Sequence, residues 1–286
     1  MSDILDKKKI RKVFRNVQKH LSIAQLIRRF STNKEDIRKA ALNGVNLSRC
    51  RSVLELGCAF GAFTEALRNK LHDGATITGV DIISEYKPFF LDACRRAGYE
   101  GTFLSSGIEK IKKIPSGFFD LVICSYALYF FPEIIPEIAR IMKPSGFFIT
   151  ITHSSNDMRE IVDIVKRILG RHHASGTNRS LPIEIIFDQF SAENGESLLQ
   201  PFFKTIEAID FKNTLVFQSQ EIRYFMDYFQ FKKSFFLSEQ DANNQTIIRQ
   251  LFEELQETLS KNQIVSMCKD DRIFICSQPS TGKDSP

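Results

Sequence analysis

The sequence predicts an α/β fold organised around a mostly parallel β-sheet. Up to residue 152, five short strand-like runs alternate with four connections, a pattern typical of a parallel sheet with crossover helices. A late strand-like run, residues 270–279, returns after a long helical excursion and can complete the same sheet. With 286 residues, 43% of them hydrophobic, the chain can bury a proper core.

The first half of the chain carries the regular alternation. Its predicted strands are "SVLELG", "ATITGVDI", "YEGTFLSS", "FFDLVICSYAL" and "FFITIT". Its predicted helices are "AFTEALRNKL", "YKPFFLDACRRAG", "IEKIKKI" and "PEIIPEIARIM". The sequence "KPSG" is predicted to form a turn before the fifth strand.

The second half is less regular. Helices are predicted in "MREIVDIVKRIL", "LPIEIIFDQF", "QEIRYFMDYFQ" and "QTIIRQLFEELQETLS", and β-structure in "FFKTIEAIDFKNTLVF" and "DDRIFICSQP". We therefore expect a basic helical segment (1–40), a core that binds a cofactor (41–153), cap helices with sheet-completing strands (154–279) and a disordered tail (280–286).

The amino-acid composition limits the classes of protein to which this chain can belong. No run approaches the roughly 18 apolar residues that cross a bilayer, and the first residues lack the apolar region of a secretory signal. We expect a cytoplasmic protein without a membrane span. The six cysteines are irregularly spaced without a C-x-x-C pair, so they are expected to be reduced and mostly buried, and no metal site is predicted.

Positive charge is concentrated at the N-terminus. Residues 1–40 hold 12 Lys or Arg against 4 Asp or Glu, whereas the other residues hold 27 against 30. Such a segment can reach toward nucleic acid or an anionic substrate, or it can be a solvated amphipathic helix, since Ile10, Val13, Phe14 and Val17 recur at helical spacing. We expect the N-terminal segment to be a lid that covers the cofactor rather than an arm that binds nucleic acid.

The stretch "SVLELGCAFGAFTEAL" resembles a nucleotide-binding loop with altered spacing. Its small residues read G-x-A-x-G at Gly57, Ala59 and Gly61, where a dinucleotide fold requires G-x-G-x-x-G. Glu55 precedes the loop and would oppose a pyrophosphate, but it suits a ligand with an ammonium group, such as S-adenosylmethionine. Asp81 ends the second strand, where an acid can bind ribose hydroxyls of that cofactor or of NAD.

The segments "VLELGCAFGAF", "ITGVDI", "FFDLVICSYALYFF" and "IMKPSGFFITIT" resemble the successive motifs of class I S-adenosylmethionine-dependent methyltransferases. Together they cover roughly residues 50–153. The resemblance implies a Rossmann-like, doubly wound, seven-stranded sheet with helical lid insertions, a methyltransferase activity and S-adenosyl-L-methionine as cofactor.

The resemblance also implies roles for individual residues. Gly57 and Gly61 would let the backbone pass close to the methionyl part of the cofactor. Glu55 would organise the ammonium group and Asp81 the ribose, while Ile82 would press on the adenine. The segment where the family often places an adenine-binding acid has none here, so a hydroxyl or backbone groups are expected to serve; this segment comprises Ser106, Gly107 and Ile108.

Ala59 and the residues after the fourth and fifth strands complete the predicted site. Ala59 replaces the usual middle glycine, and it is expected to keep a negative φ in a slightly remodelled loop. Residues beyond the carboxyl ends of parallel strands face the ligand, and here these are Ser125, expected to contact the cofactor, Tyr126, Tyr129, His153, Asn156 and Asp157.

His153 is the predicted general base, because an imidazole titrates near physiological pH. The alternative is that it hydrogen-bonds a loop carbonyl. Tyr126 is a second catalytic candidate, and Tyr129, Asn156 and Asp157 are predicted to contact the substrate, although Tyr126 and Tyr129 can equally be core aromatics. The leading function is methylation of a small molecule. Methylation of RNA or the ribosome is the alternative, and a nicotinamide-dependent enzyme or a non-catalytic binding module ranks third. The sequence does not identify the acceptor or the oligomeric state.

Overall fold

The computed structural model describes residues 7–172, 180–262 and 264–280. These residues form two compact units. The sheet unit takes the described residues of Glu35–Thr152, Gln189–Phe211 and Arg272–Pro286, and the helical unit takes those of Met1–Lys34, His153–Asp188 and Lys212–Asp271. Of the predicted tail, residues 281–286 lie outside the described residues.

The strands of the described residues follow the predicted order. They are β1 (Ser52–Leu56), β2 (Thr76–Asp81), β3 (Glu100–Ser105), β4 (Phe119–Ser125), β5 (Met142–His153), β6 (Phe203–Phe211), β7 (Thr214–Gln218), β8 (Ile264–Cys268) and β9 (Asp271–Pro279). Seven of them form one sheet in the order β3-β2-β1-β4-β5-β9-β6. The predicted seven-stranded Rossmann-like fold is confirmed, including the late strand that returns to the sheet.

The helices of the described residues flank and follow these strands. They are α1 (Lys7–Phe14), α2 (Val17–Phe30), α3 (Ile37–Ala41), α4 (Ala62–Ala66), α5 (Lys87–Ala97), α6 (Ile135–Ile141), α7 (Arg159–His172), α8 (Pro182–Gln189), α9 (Gly195–Leu199), α10 (Ile222–Phe236), α11 (Glu239–Asn243) and α12 (Gln245–Asn262). No helix among them is long and apolar enough to span a membrane.

The parallel part of the sheet places the carboxyl ends of its strands along one edge. Strand β1 pairs in parallel with β2 and β4, β2 with β3, and β4 with β5. Residues 53, 54 and 56 of β1 and residues 121–124 of β4 are completely buried, because crossover helices cover both faces of such a sheet. Residues that follow β1, β2 and β4 therefore converge at one edge.

Several predicted elements differ in detail. The helix expected over "AFTEALRNKL" ends at Ala66, and "IEKIKKI" forms a 3₁₀ helix, Ile108–Lys113. The predicted turn "KPSG" lies within β5, where the pairing with β4 shifts register between Phe119 and Leu121. Strand β8 was not predicted, because its five residues carry too short a pattern to distinguish from the end of α12.

The helical unit packs its N-terminal helices against residues from the second half of the chain. Phe30, the last residue of α2, meets the ring of Phe217 in β7 at 4.4 Å, and Phe217 meets Phe225 in α10 at 5.7 Å. Phe14 of α1 contacts Phe231 of α10 at 5.6 Å. The apolar residues at helical spacing, Ile10 to Val17, are divided between two helices, since Asn16 caps α2 by accepting a hydrogen bond from the Lys19 amide at 3.0 Å. The basic N-terminal helices are thus integral to this unit.

Candidate functional site

The loop between β1 and α4 requires glycine at two positions. Gly57 and Gly61 have φ of +66° and +78°, a region that glycine enters at no steric cost. A Cβ on Gly57 would lie 2.6 Å from the Cβ of Ala127, and one on Gly61 would lie 2.6 Å from the Cβ of Ala93. Both positions therefore exclude a side chain, as a loop that passes close to its neighbours requires.

Ala59 also has a positive φ, of 43°. The expectation that it keeps a negative φ is wrong. The physical reason is a hydrogen bond: the Ala59 amide donates to the Asp81 carboxylate at 3.0 Å, which offsets a left-handed conformation that costs about 1–2 kcal/mol for an L-residue. Alanine occupies the middle position of the loop under strain.

Glu55 is buried at the end of β1 without a cation. Its side chain is 3% exposed and accepts a hydrogen bond from the hydroxyl of Thr64 at 2.5 Å. Within the described chain, no Lys, Arg or His nitrogen forms an ion pair with it. Burial raises the pKa of Glu55 to about 7, although the Thr64 hydrogen bond and the more distant charge of Arg38 oppose that rise. Thr64 was not anticipated from the sequence.

Asp81 ends β2 and holds two loops through backbone amides. Its carboxylate accepts hydrogen bonds from the amides of Ala59 at 3.0 Å and Ile83 at 2.9 Å. Burial raises its pKa to about 6 despite these hydrogen bonds. Ile82, the predicted adenine contact, follows it directly and is half-buried. Like Glu55, Asp81 forms no ion pair among the described residues.

The segment after β3 presents a hydroxyl without a partner. The Oγ of Ser106 is buried and is the one such side-chain atom among the described residues that lacks a hydrogen-bond partner. The Ser106 amide donates to the carbonyl of Asp81 at 3.1 Å, which holds the segment beside β2. Gly107 and Ile108 follow and are half-buried.

An acid that sequence reasoning missed lies at the same segment. The carboxylate of Glu109 lies against Gly107, in the space that a side chain at residue 107 would need. Glu109 is exposed and follows the predicted segment by a single residue. The sequence contained the signal for this acid. In a 3₁₀ turn, a carboxylate one or two positions after the predicted segment can reach back to the start of the turn.

The residues after β4 form a strained corner. Ser125 ends the strand half-buried, and Tyr126 has φ of +56°, which is unusual for an aromatic residue. The Tyr126 amide donates to the carbonyl of Ile151 at 2.8 Å, while Tyr129 is 6% exposed and packs edge-on against Phe130 at 4.6 Å. The corner brings the next residue, Ala127, against Gly57.

The remaining predicted residues belong to the helical unit. Nδ1 of His153 lies 2.7 Å from Oδ1 of Asp271 and 2.9 Å from Nζ of Lys269, which in turn donates to Asp157 at 3.0 Å. Asn156 is exposed and accepts a hydrogen bond from Arg159 at 3.1 Å. The cluster brings His153 and Asp157 together, whereas Lys269 and Asp271, 116 and 118 residues from His153, were not anticipated.

The edge of the sheet unit has the chemistry to bind a particular kind of ligand. Two shielded acids lack a cation, a buried hydroxyl lacks a partner, and two glycines keep the loop backbone clear. A ligand with an ammonium group and several hydroxyl or amine donors supplies what these groups lack. A pyrophosphate does not, because its charge repels both acids.

All six cysteines are free, and five are buried while Cys268 is partly exposed, as predicted. Among the described residues, no group of three or more His, Cys, Asp or Glu side chains is arranged to hold a metal ion.

Known proteins match part of this chain. A family model described as a methyltransferase domain matches residues 54–150. Over 109 residues, the chain is 30% identical to a ubiquinone biosynthesis O-methyltransferase of Vibrio campbellii and 28% identical to one of Methylococcus capsulatus; each alignment covers 36% of this chain and 45% of the relative. The chain thus spans less than half the length of these relatives.

A solved structure supports the fold. A protein of Bacillus halodurans, described as a candidate methyltransferase, aligns with a TM-score of 0.54 and 12% identity, over 85% of this chain and 99% of that one. At this identity the likeness bears on the fold alone.

Proposed function

We propose that this protein, whose residues 54–150 are a methyltransferase domain of the class I S-adenosylmethionine-dependent family, methylates a hydroxyl group of a small-molecule acceptor. The predicted family, enzyme class and cofactor are confirmed by the family match and by the O-methyltransferase relatives. The acceptor, the reaction of the whole chain and the roles of single residues are the proposal.

The observation that carries the proposal is the pair of shielded acids without a cation. S-adenosylmethionine has an ammonium group for Glu55 and ribose hydroxyls that can donate to Asp81. The unpartnered hydroxyl of Ser106 can accept a hydrogen bond from the adenine amino group. The residues present therefore fit this cofactor, with Gly57, Ala59, Gly61, Ile82, Gly107, Ile108 and Ser125 as the proposed cofactor-binding surroundings.

A hydroxyl acceptor is favoured by the relatives, which are O-methyltransferases. When bound, the cofactor supplies an electrophilic methyl group on a sulfonium. The protein contributes alignment and exclusion of water, and a base takes the hydroxyl proton. We assign that base to His153, with Tyr126 as a second catalytic residue and Tyr129, Asn156 and Asp157 as acceptor contacts.

The alternative acceptor, RNA or the ribosome, rests on the basic N-terminal segment. Helices α1 and α2 carry exposed basic residues but pack through Phe14 and Phe30 onto α10 and β7. This packing favours a structural or lid role over a free nucleic-acid arm. A cytoplasmic location also stays a prediction from the sequence.

The cofactor and the acceptor are tested separately. Isothermal titration should show binding of S-adenosylmethionine and S-adenosylhomocysteine but not of NAD. Transfer of a labelled methyl group should then be measured with a panel of small phenols and catechols, and with total RNA. Micromolar binding of NAD without a response to S-adenosylmethionine contradicts the family, and transfer to RNA alone contradicts the small-molecule acceptor.

Charge reversal distinguishes the N-terminal roles better than deletion, because deletion removes helices that the helical unit needs. Arg11, Arg15, Lys19 and Arg28 are exposed and can be replaced together by Glu. A nucleic-acid arm predicts loss of salt-dependent RNA affinity with cofactor binding intact. If the quadruple variant keeps both activities, the charges are simply a solvated surface.

A further inference from the structure

The segment proposed to contact adenine, residues 106–108 (the adenine segment), is tied to β2 at its start. The Ser106 amide donates a hydrogen bond to the carbonyl of Asp81, the last residue of β2, at 3.1 Å. The segment then continues directly into the 3₁₀ helix Ile108–Lys113. The bond to β2 fixes where the segment begins, so the direction of the segment depends on what holds the far end of the 3₁₀ helix.

The far end of the 3₁₀ helix is a sharp stop. Ile114 is extended, with φ of −77° and ψ of 137°, and Pro115 follows it. A residue that precedes proline avoids helical dihedral angles, which ends the helix at this point. The last carbonyl groups of a helix lack partners within the helix, and they need donors from elsewhere in the protein.

Arg140, in the last turn of α6, supplies such donors. Nη1 of its guanidinium donates to the carbonyl of Ile114 at 2.9 Å and to the hydroxyl of Ser116 at 3.1 Å. Nη2 makes two longer contacts, each of 3.4 Å, with the carbonyls of Ile111 and Lys112. One side chain therefore contacts four acceptors at the end of the 3₁₀ helix and in the turn that follows it.

The guanidinium of Arg140 is itself fixed in place. Its Nε donates to the carboxylate of Glu137, one turn earlier in α6, at 2.7 Å, and the two side chains are only 32% and 27% exposed. The Arg140 carbonyl also accepts from the Gly117 amide at 3.0 Å. A guanidinium presents five donors in a rigid plane, whereas an ammonium presents three donors at one point, so lysine cannot reproduce this set of contacts.

We infer that Arg140 is a positioning residue for the cofactor: by closing the end of the 3₁₀ helix it sets the direction of the adenine segment and holds the Ser106 hydroxyl where the adenine amino group can reach it. The adenine contact of Ser106 rests on the proposed function, whereas the anchoring of the segment belongs to the protein alone. Arg140 acts through the segment and is assigned no contact with the cofactor.

Amide hydrogen exchange, followed by ¹H–¹⁵N spectra, tests the anchoring without any ligand. The amides of Lys110 and Ile114 are hydrogen-bonded within the 3₁₀ helix at 3.3 and 3.0 Å. Arg140→Met should raise both exchange rates at least about tenfold, because the helix loses the contacts that oppose its local opening. The amide of Ala59, bonded to a carboxylate in β2, should exchange as before. Unchanged rates at residues 110 and 114 overturn the inference.

Two further variants control this measurement. Arg68→Met removes an exposed arginine of the same unit and should change none of these rates. Arg140→Lys keeps the positive charge but loses the planar fork, so the exchange rates should lie between those of the wild type and Arg140→Met. If Arg140→Met fails to fold, wild-type exchange at residues 110 and 114 in Arg140→Lys contradicts the inference.

A double-mutant cycle tests whether the anchoring acts through Ser106. In isothermal titration with S-adenosylhomocysteine, Ser106→Ala should raise Kd about two- to tenfold, the factor for one hydrogen bond, and Arg140→Met should raise it at least as much. In the Arg140→Met background, Ser106→Ala should change Kd less than about twofold, because a misplaced hydroxyl has little left to lose. Equal factors in the two backgrounds mean that the residues act independently, which overturns the positioning role.

The outcomes separate this inference from the proposed function. If the wild-type protein does not bind S-adenosylhomocysteine, the proposed function fails, and amide exchange still decides whether Arg140 anchors the segment. If Ser106→Ala keeps the wild-type Kd, the proposed adenine contact is wrong and the positioning role falls with it. If Ser106→Ala weakens binding but Arg140→Met does not, the proposed function stands and the inference is wrong.

Discussion

Two regions of the molecule bury carboxylates in opposite ways. In the sheet unit, Glu55 and Asp81 are held only by neutral donors, namely the Thr64 hydroxyl and two backbone amides. In the helical unit, Asp157 and Asp271 share the ammonium of Lys269 at 3.0 and 3.7 Å. The first pair has raised pKa values, and the second pair raises the pKa of its lysine instead.

The difference supports the proposal that the sheet unit receives the ligand. Carboxylates that have their own cation are electrostatically complete, and a ligand is not needed to keep them charged. Carboxylates that burial leaves without a cation stay partly protonated until a cation or several donors arrive. Glu55 and Asp81 lie within residues 54–150, which match a methyltransferase domain. Incomplete pairing of these buried acids is the observation on which the proposed cofactor site rests.

The largest effect is expected from removing the shared cation. Lys269→Ala removes the ammonium that two buried carboxylates share and should lower the free energy of unfolding by about 3–5 kcal/mol. The exposed Lys212, paired with Asp270 at 2.9 Å, is the matched control and should cost less than about 1 kcal/mol as alanine. Urea unfolding measures both. Equal losses of unfolding free energy in the two variants would show that the buried ammonium of Lys269 stabilises the protein no more than an exposed ion pair does. The carboxylates of the helical unit would then not depend on their cation.

The next largest effect is expected in the pH dependence of stability, through Glu55 in the sheet unit. The pKa of Glu55 is raised to about 7, so its protonated form is favoured by folding, and that stability is present below pH 4.5 and lost as the pH rises through 7. Without cofactor, the wild-type protein should lose up to about 3 kcal/mol between these limits from this group.

Glu55→Gln should flatten that pH dependence, because the amide oxygen still accepts from Thr64 and cannot ionise. The exposed Glu133→Gln is the control. Denaturant unfolding at several pH values between 5 and 8 gives the slopes, and parallel curves for wild type and Glu55→Gln mean that Glu55 is ionised throughout.

Asp81→Ala should affect binding more than folding. Loss of the hydrogen bonds to the ribose should weaken S-adenosylmethionine binding by about 1.5–3 kcal/mol, the range for charged hydrogen bonds. Isothermal titration measures it, with the exposed Asp73→Ala as control. An unchanged dissociation constant would show that Asp81 only supports the amides of residues 59 and 83.

The smallest effect is expected at Ala59. Ala59→Gly relieves a left-handed alanine at a φ of +43° but increases the freedom of the unfolded chain, so a net gain in stability of about 0.5–1 kcal/mol is expected. Ala93→Gly, inside α5, should instead lose at least about 1 kcal/mol. Thermal unfolding distinguishes the two signs, and a destabilised Ala59→Gly protein would mean that the alanine is not strained.

The succession of strands and helices along the first half of the chain was predictable, because short apolar runs and the helices between them are local patterns. The boundaries of the helices and strands were less predictable. The helix over "AFTEALRNKL" stops at Ala66 and "IEKIKKI" winds as a 3₁₀ helix, since tertiary packing sets where a weak helix ends. The short β8 is defined by its antiparallel pairing with β7, from Thr214 opposite Cys268 onward, which no local pattern contains.

The sequence by itself determined the sheet, the glycine loop and the acids Glu55 and Asp81, because these lie in contiguous motifs whose spacing follows from strand and turn geometry. Only the tertiary structure decided that Ala59 is left-handed, that the Ser106 hydroxyl lacks a partner, and that His153 meets Lys269 and Asp271. The physical reason is that a hydrogen bond or a charge interaction depends on distance in space and on burial. Residues 116 and 118 positions apart acquire that distance only when the chain has folded.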